Sequence, residues 1–164
     1  MGSTPTRFRQ HFSAAQYRLP IDSLAQIDPF MAGTLNPQEE ATIRAFIVPA
    51  RRSRILELLP NPKRRESITK SLAHPNPDWF DPRFVKAILP AQHGATSIAN
   101  LLHSKGAGKK CWAISEDDRL DGREFELDSI LSEIVGYGMG TILCCVPGAL
   151  AYVESEDGRF ILEK

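Results

Sequence analysis

The stretch "GTILCCVPGALAYVESEDGRFILEK", residues 140–164, decides the fold. Three runs rich in apolar residues are separated by Pro147-Gly148 and Asp157-Gly158, dipeptides that are typical of tight turns. This pattern predicts three antiparallel strands joined as a meander. The first run, "TILCCV", is apolar at both alternating sets of positions, so we expect its strand to lie centrally in a sheet, beneath helices.

The segment before the meander alternates between helical and extended patterns. Residues 96–108 carry apolar side chains at helical spacing, and "KCWAIS" and "REFEL" are strand candidates on either side of Asp121-Gly122, which signals a turn. Asp128 or Ser129 is predicted to cap a further helix that leads into the meander. The resulting order α-β-β-α-β-β-β, preceded by a helical segment, predicts the α+β class.

Helix start signals recur in the first half of the chain. Asn36-Pro37 and Asn61-Pro62 each place a capping asparagine before a proline at the first helical position. Pro49 is expected either to kink the helix that follows Asn36-Pro37 or to end it and begin the next, because proline cannot donate a backbone hydrogen bond inside a helix. The first half is therefore predicted to be mainly helical.

Composition and charge are those of a globular protein with two unlike halves. The chain has 164 residues, 42% of them hydrophobic and 24% charged, and a formal net charge of zero. Residues 1–90 hold 13 Lys and Arg against 8 Asp and Glu, whereas the remainder holds 7 against 12. We divide the chain into an irregular N-terminal arm over 1–35, a helical segment with an aromatic loop over 36–90, and an α+β domain over 91–164.

Several functional classes are disfavoured by what the sequence lacks. No apolar run approaches the roughly 20 residues of a transmembrane helix, so we expect no membrane association. Three cysteines do not make a disulfide framework, which favours a reducing, cytoplasmic setting. No glycine-rich phosphate loop follows a strand and opens a helix, and we expect no bound cofactor.

The cysteines are the sequence's most obvious candidates for chemistry. Cys144 and Cys145 are adjacent on a predicted strand, so their side chains should point to opposite faces and not share a ligand. We predict that both are buried and inert, as is Cys111. The alternative is a cysteine-dependent enzyme, which would need His93 or His103 beside a thiol as the base.

The acidic segment "SEDDRLDGREFELD" resembles a calcium-binding loop in the spacing of its carboxylates. Arg119, however, occupies a position at which the loop needs an oxygen ligand, and Asp128 stands where a longer, bidentate glutamate is usual. We therefore predict a turn with solvated carboxylates and no metal site.

The basic stretch "ARRSRILELLPNPKRRES", residues 50–67, is the main candidate for binding. Arg51 and Arg52 flank the predicted apolar stripe, where arginines commonly extend to solvent along a packed helix. Lys63, Arg64 and Arg65 fall in the first turn of the next helix, where the helix dipole disfavours cations. These three cations, together with the N–H groups of that turn, are suited to an external anion; the alternative is that they pair with the chain's own acidic half.

The aromatic loop supplies the second part of the candidate surface. Trp79 and Phe80 are residue types that anchor interfaces, although they equally suit the filling of a groove between the two halves. We predict a small cytoplasmic interaction or regulatory protein, not an enzyme, that binds an acidic partner surface. A nucleic-acid-binding protein is the alternative, and a cysteine-dependent enzyme is the third hypothesis. The predicted binding residues are Arg51, Arg52, Lys63, Arg64, Arg65, Trp79 and Phe80.

Overall fold

The structure is a computed structural model that describes residues 34–73, 79–156 and 158–164. The described residues form five α-helices and a six-stranded antiparallel sheet, which confirms the α+β prediction. The helices are α1 (Pro37–Phe46), α2 (Pro49–Leu58), α3 (Pro62–Ala73), α4 (Ala95–Ser104) and α5 (Leu127–Ile134). The strands are β1 (Val85–Ala87), β2 (Lys110–Ser115), β3 (Arg123–Glu126), β4 (Thr141–Val146), β5 (Leu150–Ser155) and β6 (Gly158–Glu163). The arm predicted over residues 1–35 lies outside the described residues except for its last two positions.

The sheet follows the order β1-β6-β5-β4-β2-β3. The predicted meander is confirmed, since β4 pairs with β5 and β5 with β6 along almost their whole lengths. Gly148 adopts a left-handed φ of 68° in the first of its turns, a conformation that glycine reaches without strain. The strand β4 lies between β5 and β2, so its predicted central position is also confirmed.

Two hydrophobic cores lie on opposite faces of this sheet. Along β4, Ile142 and Cys144 pack into the core under α1, α2 and α3, whereas Leu143 and Cys145 pack into the core under α4 and α5. The pairing of β4 with β5 shifts register between Cys144 and Val146, yet the adjacent thiols still enter different cores. The doubly apolar pattern of "TILCCV" is therefore explained by helices on both faces.

The helix starts were predicted with mixed success. Asn36 Oδ1 accepts a hydrogen bond from the N–H of Gln38 at 2.8 Å, and Asn61 Oδ1 accepts one from Lys63 at 3.0 Å, so both predicted caps are confirmed. The prediction that Asp128 or Ser129 caps α5 is wrong. That helix begins at Leu127, directly after β3 ends at Glu126, and its N-cap residue Glu126 makes no side-chain hydrogen bond to the helix.

None of the five described helices combines the length and the apolar character that crossing a bilayer requires.

Candidate functional site

The charges at the starts of α2 and α3 are the reverse of what suits a helix dipole. Residues 49–73, which contain both helices, hold seven Lys and Arg against two Glu, and neither helix has an acidic residue in its first turn. The preceding helix α1 is conventional, with Glu39 and Glu40 in its first turn and Arg44 in its last. The cations at the starts of α2 and α3 are therefore not arranged for local helix stability, whereas Lys70, in the last turn of α3 and 2.8 Å from Glu66, is.

Arg65 forms ion pairs with two carboxylates of its own chain. Its guanidinium Nη2 donates to Glu39 Oε1 at 2.6 Å and to Asp121 Oδ1 at 2.9 Å, and Trp112 Nε1 donates to the same Glu39 oxygen at 2.8 Å. Glu39 is only 1% exposed. Burial by itself would lower the pKa of Arg65, but hydrogen bonds to Asp121 and Glu39 outweigh it and raise that pKa above its usual value. The sequence left open whether Arg65 binds an external anion or pairs with the chain's own acidic half. The structure shows the second arrangement, through Asp121.

The two arginines at the start of α2 make contacts around the junction with α1. Arg52 Nε donates to the carbonyl oxygen of Ile47 at 2.6 Å and thereby bridges the two helices. The guanidinium carbon of Arg51 lies 4.8 Å from the ring centroid of Trp79, within the range of a cation–π contact. Arg51 is exposed, so this pair presents a charge and an aromatic ring side by side.

The described part of the aromatic loop is attached to the same junction. The N–H of Val48 donates to the carbonyl of Trp79 at 3.0 Å. Phe80 is 3% exposed, and its ring centroid lies 5.8 Å from that of Phe160 in an edge-to-face arrangement. The structure thus places Phe80 in the core under α1–α3, which was the groove-filling alternative, and leaves Trp79 half-buried at the surface.

Three further cations are exposed. Arg54, Lys63 and Arg64 have no ion-pair partner within residues 34–73, 79–156 and 158–164. With Arg51 they form what we call the basic surface, defined as Arg51, Arg54, Lys63 and Arg64. The backbone N–H groups beside it are already used, since those of Lys63, Arg64 and Arg65 donate to the side chain or carbonyl of Asn61 at 2.8 to 3.0 Å. An anion at this surface would therefore meet side-chain cations and not helix N–H groups.

A depression of about 350 Å³ lies between α2 and α3. Each helix contributes three residues at i, i+3 and i+4 spacing, and the lining consists of Arg54, Glu57, Leu58, Arg64, Ser67 and Ile68. The two arginines are exposed and the two aliphatic residues are partly or fully buried. The sequence prediction omitted this group, although the repeated spacing of Arg54 to Leu58 and of Arg64 to Ile68 was a readable signal.

The cysteines lie in environments that suppress the thiolate. All three are buried and free of disulfides. Burial raises the pKa of the Cys111 and Cys144 thiols to about 12, and it also raises that of Cys145. A thiol with so high a pKa is a poor nucleophile at neutral pH.

In both described histidines, each ring nitrogen lies within hydrogen-bond distance of a group other than a cysteine thiol. His93 Nε2 lies 2.9 Å from the carbonyl of Ile88, and its Nδ1 lies 3.0 Å from Arg159 Nη1. His103 bonds to Asp128 through Nε2 at 2.8 Å, and its Nδ1 lies 3.1 Å from the carbonyl of Ala107. The hydrogen bond to Asp128 is the largest cause of a raised pKa at His103, because only the protonated ring donates from both nitrogens.

We predict that thiol labelling of the native protein is slower than that of the unfolded protein by at least about a hundredfold at Cys144 and Cys145, because both need the core to open first. The measurement is the rate of reaction with an aromatic disulfide reagent, with and without denaturant. Rapid labelling without denaturant would show that these thiols are accessible and would support the cysteine-dependent enzyme.

The prediction that the carboxylates of the turn after β2 are solvated is wrong for Asp117, which is buried and pairs with Arg119, and for Asp121, which pairs with Arg65. Arg119 Nη2 lies 2.6 Å from Asp117 Oδ2, and the hydrogen bonds from Arg119 are the largest cause of a lowered pKa at Asp117. In the part of the chain that the structure describes, no three His, Cys, Asp or Glu side chains converge as a metal site would require.

Comparisons of the chain with protein-family models, with curated proteins and with solved structures found no match.

Proposed function

We propose that this chain is a small cytoplasmic interaction or regulatory protein whose basic surface binds an acidic surface of a partner protein. The observation that carries the proposal is the exposure of Arg54, Lys63 and Arg64 on two adjacent helices, without ion-pair partners in the described residues and against the dipole at the start of α3. An anionic surface that covers these cations offsets the repulsion between them and the unfavourable interaction of Lys63 and Arg64 with the dipole of α3.

The contact between Arg51 and Trp79 supports the same proposal. An exposed arginine on a half-buried tryptophan combines two of the residue types that contribute most to binding energy at interfaces. The pair lies at the start of α2, so a partner on the basic surface meets an aromatic ring as well as charge. Arg52, Arg65 and Phe80 have a supporting role in this proposal, because they fix the helices and the loop that present the other residues.

We predict that the double variant Lys63→Glu/Arg64→Glu keeps the stability of the parent protein within about 0.5 kcal/mol or slightly exceeds it, since carboxylates suit the first turn of α3. The same variant should lose about tenfold or more of its affinity for a fluorescein-labelled peptide of aspartate and glutamate residues. Thermal unfolding and fluorescence anisotropy at low salt measure the two quantities.

Lys109→Glu is the control for the single variant Lys63→Glu, because each reverses one exposed cation and changes the net charge equally, and Lys109 lies outside the basic surface. Its peptide affinity should stay close to that of the parent. Equal loss in both variants would mean that only net charge matters and would contradict a defined surface. An oligothymidylate that binds more tightly than the peptide, with affinity falling linearly in log–log form with salt, would favour the nucleic-acid alternative.

A further inference from the structure

The depression between α2 and α3 combines features that a purely electrostatic surface does not need. Leu58 and Ile68 form an apolar floor, while Arg54 and Arg64 stand on the two helices as exposed charges without ion-pair partners among the described residues. Its volume of about 350 Å³ falls at the lower end of the range for small-ligand pockets, about 300–1,000 Å³. An occupant that satisfies the whole site must therefore be apolar at its centre and negatively charged at its flanks.

We propose that this depression takes one leucine-sized apolar side chain from an acidic segment of the partner, with flanking carboxylates on Arg54 and Arg64. The inference rests on the proposed function and adds to it a specific partner chemistry, an apolar residue between acidic ones. Arginine matches a carboxylate with two parallel N–H donors, so the two arginines fix the segment on either side of the buried side chain.

The lining favours a protein segment over nucleic acid. Glu57 lies in the depression and has no ion-pair partner in the described residues, so it opposes a close row of phosphates. An acidic protein segment spaces its carboxylates by whole residues and can place its apolar side chain next to Glu57. Removal of this charge should therefore strengthen the binding of an acidic segment, and Glu57→Gln provides that test.

The experiment compares two labelled peptides, one with a leucine flanked on both sides by glutamates and one with serine in place of the leucine. The parent protein should bind the leucine peptide about tenfold more tightly than the serine peptide, since only the former removes apolar surface from water. Ser67→Phe fills the depression from an exposed position in α3 and should abolish this preference, so that the variant binds the two peptides equally. Glu57→Gln should increase the affinity for both peptides by a few-fold.

The outcomes separate this inference from the proposed function. If the parent bound the two peptides equally, the depression would not bind an apolar side chain and this inference would be wrong. If Lys63→Glu/Arg64→Glu then bound both peptides more weakly than the parent, the acidic-partner proposal would still hold. A preference for leucine that survives in Ser67→Phe would place the apolar contact elsewhere and also overturn the pocket. Binding of neither peptide would overturn both.

Discussion

Replacement of Arg65 with alanine is expected to lower the free energy of unfolding by about 3–5 kcal/mol, one of the two largest effects that we predict for a single substitution in this chain. Arg65 is the cation between Glu39 and Asp121. Among the described residues, its removal leaves the buried carboxylate of Glu39 with Trp112 as its side-chain donor. A buried charge without a counterion is far more destabilising than the loss of a surface ion pair. Urea unfolding should show a lower midpoint at an unchanged slope.

Arg64→Ala is the control for this prediction. It removes the same kind of side chain one residue earlier in α3, from an exposed position without an ion pair in the described residues, and should change stability by less than about 0.5 kcal/mol. The double variant Glu39→Gln/Arg65→Met should recover part of the loss, because it removes the buried charge along with its partner. Similar effects of Arg64→Ala and Arg65→Ala would mean that the interaction of Arg65 with Glu39 and Asp121 does not stabilise the fold.

The difference between Arg64 and Arg65 was readable from the sequence in one respect. Arg65 begins a stripe at i, i+3, i+4 and i+7 with Ile68, Thr69 and Leu72, all of which are buried. This helical phase predicts that Arg65 faces the core, whereas its position in the first turn of α3 suggests an external anion. The identity of its partners was not readable, because Glu39 and Asp121 lie 26 and 56 residues away in the chain and approach only once the sheet has formed.

The meander was predictable for a local reason. Turn residues such as Pro147-Gly148 fix where β4 ends, and the alternation along the strands fixes which side chains share a face. The role of Phe80 needed tertiary information, since a loop aromatic suits a core and an interface equally well until its neighbours are known. Its contacts with Phe160 and with the junction between α1 and α2 come from distant parts of the chain. The sequence thus predicted that the candidate site is positively charged. It did not predict which of the site's residues are exposed.

Glu154 is the second buried carboxylate on which the fold is expected to depend. It is fully buried and accepts hydrogen bonds from the hydroxyl of Tyr152, from Arg159 Nε at 2.9 Å and from the N–H of Gly136 at 3.2 Å. These donors come from β5, from β6 and from the segment after α5, so the carboxylate ties three parts of the chain together. The hydroxyl of Tyr152 and the guanidinium of Arg159 would both lose their shared acceptor if Glu154 were truncated.

Glu154→Ala is therefore expected to lower the free energy of unfolding by about 3–5 kcal/mol, measured by urea unfolding at neutral pH. Glu154→Gln keeps a carbonyl acceptor and loses the charge, so its effect should lie between that of alanine and the parent. Glu156→Ala is the control, because it truncates an exposed glutamate just beyond the end of β5, where the expected change is less than about 0.5 kcal/mol. If Glu154→Ala proved no more destabilising than Glu156→Ala, the free energy of folding would not depend on this network, and its polar groups would be equally well satisfied by solvent.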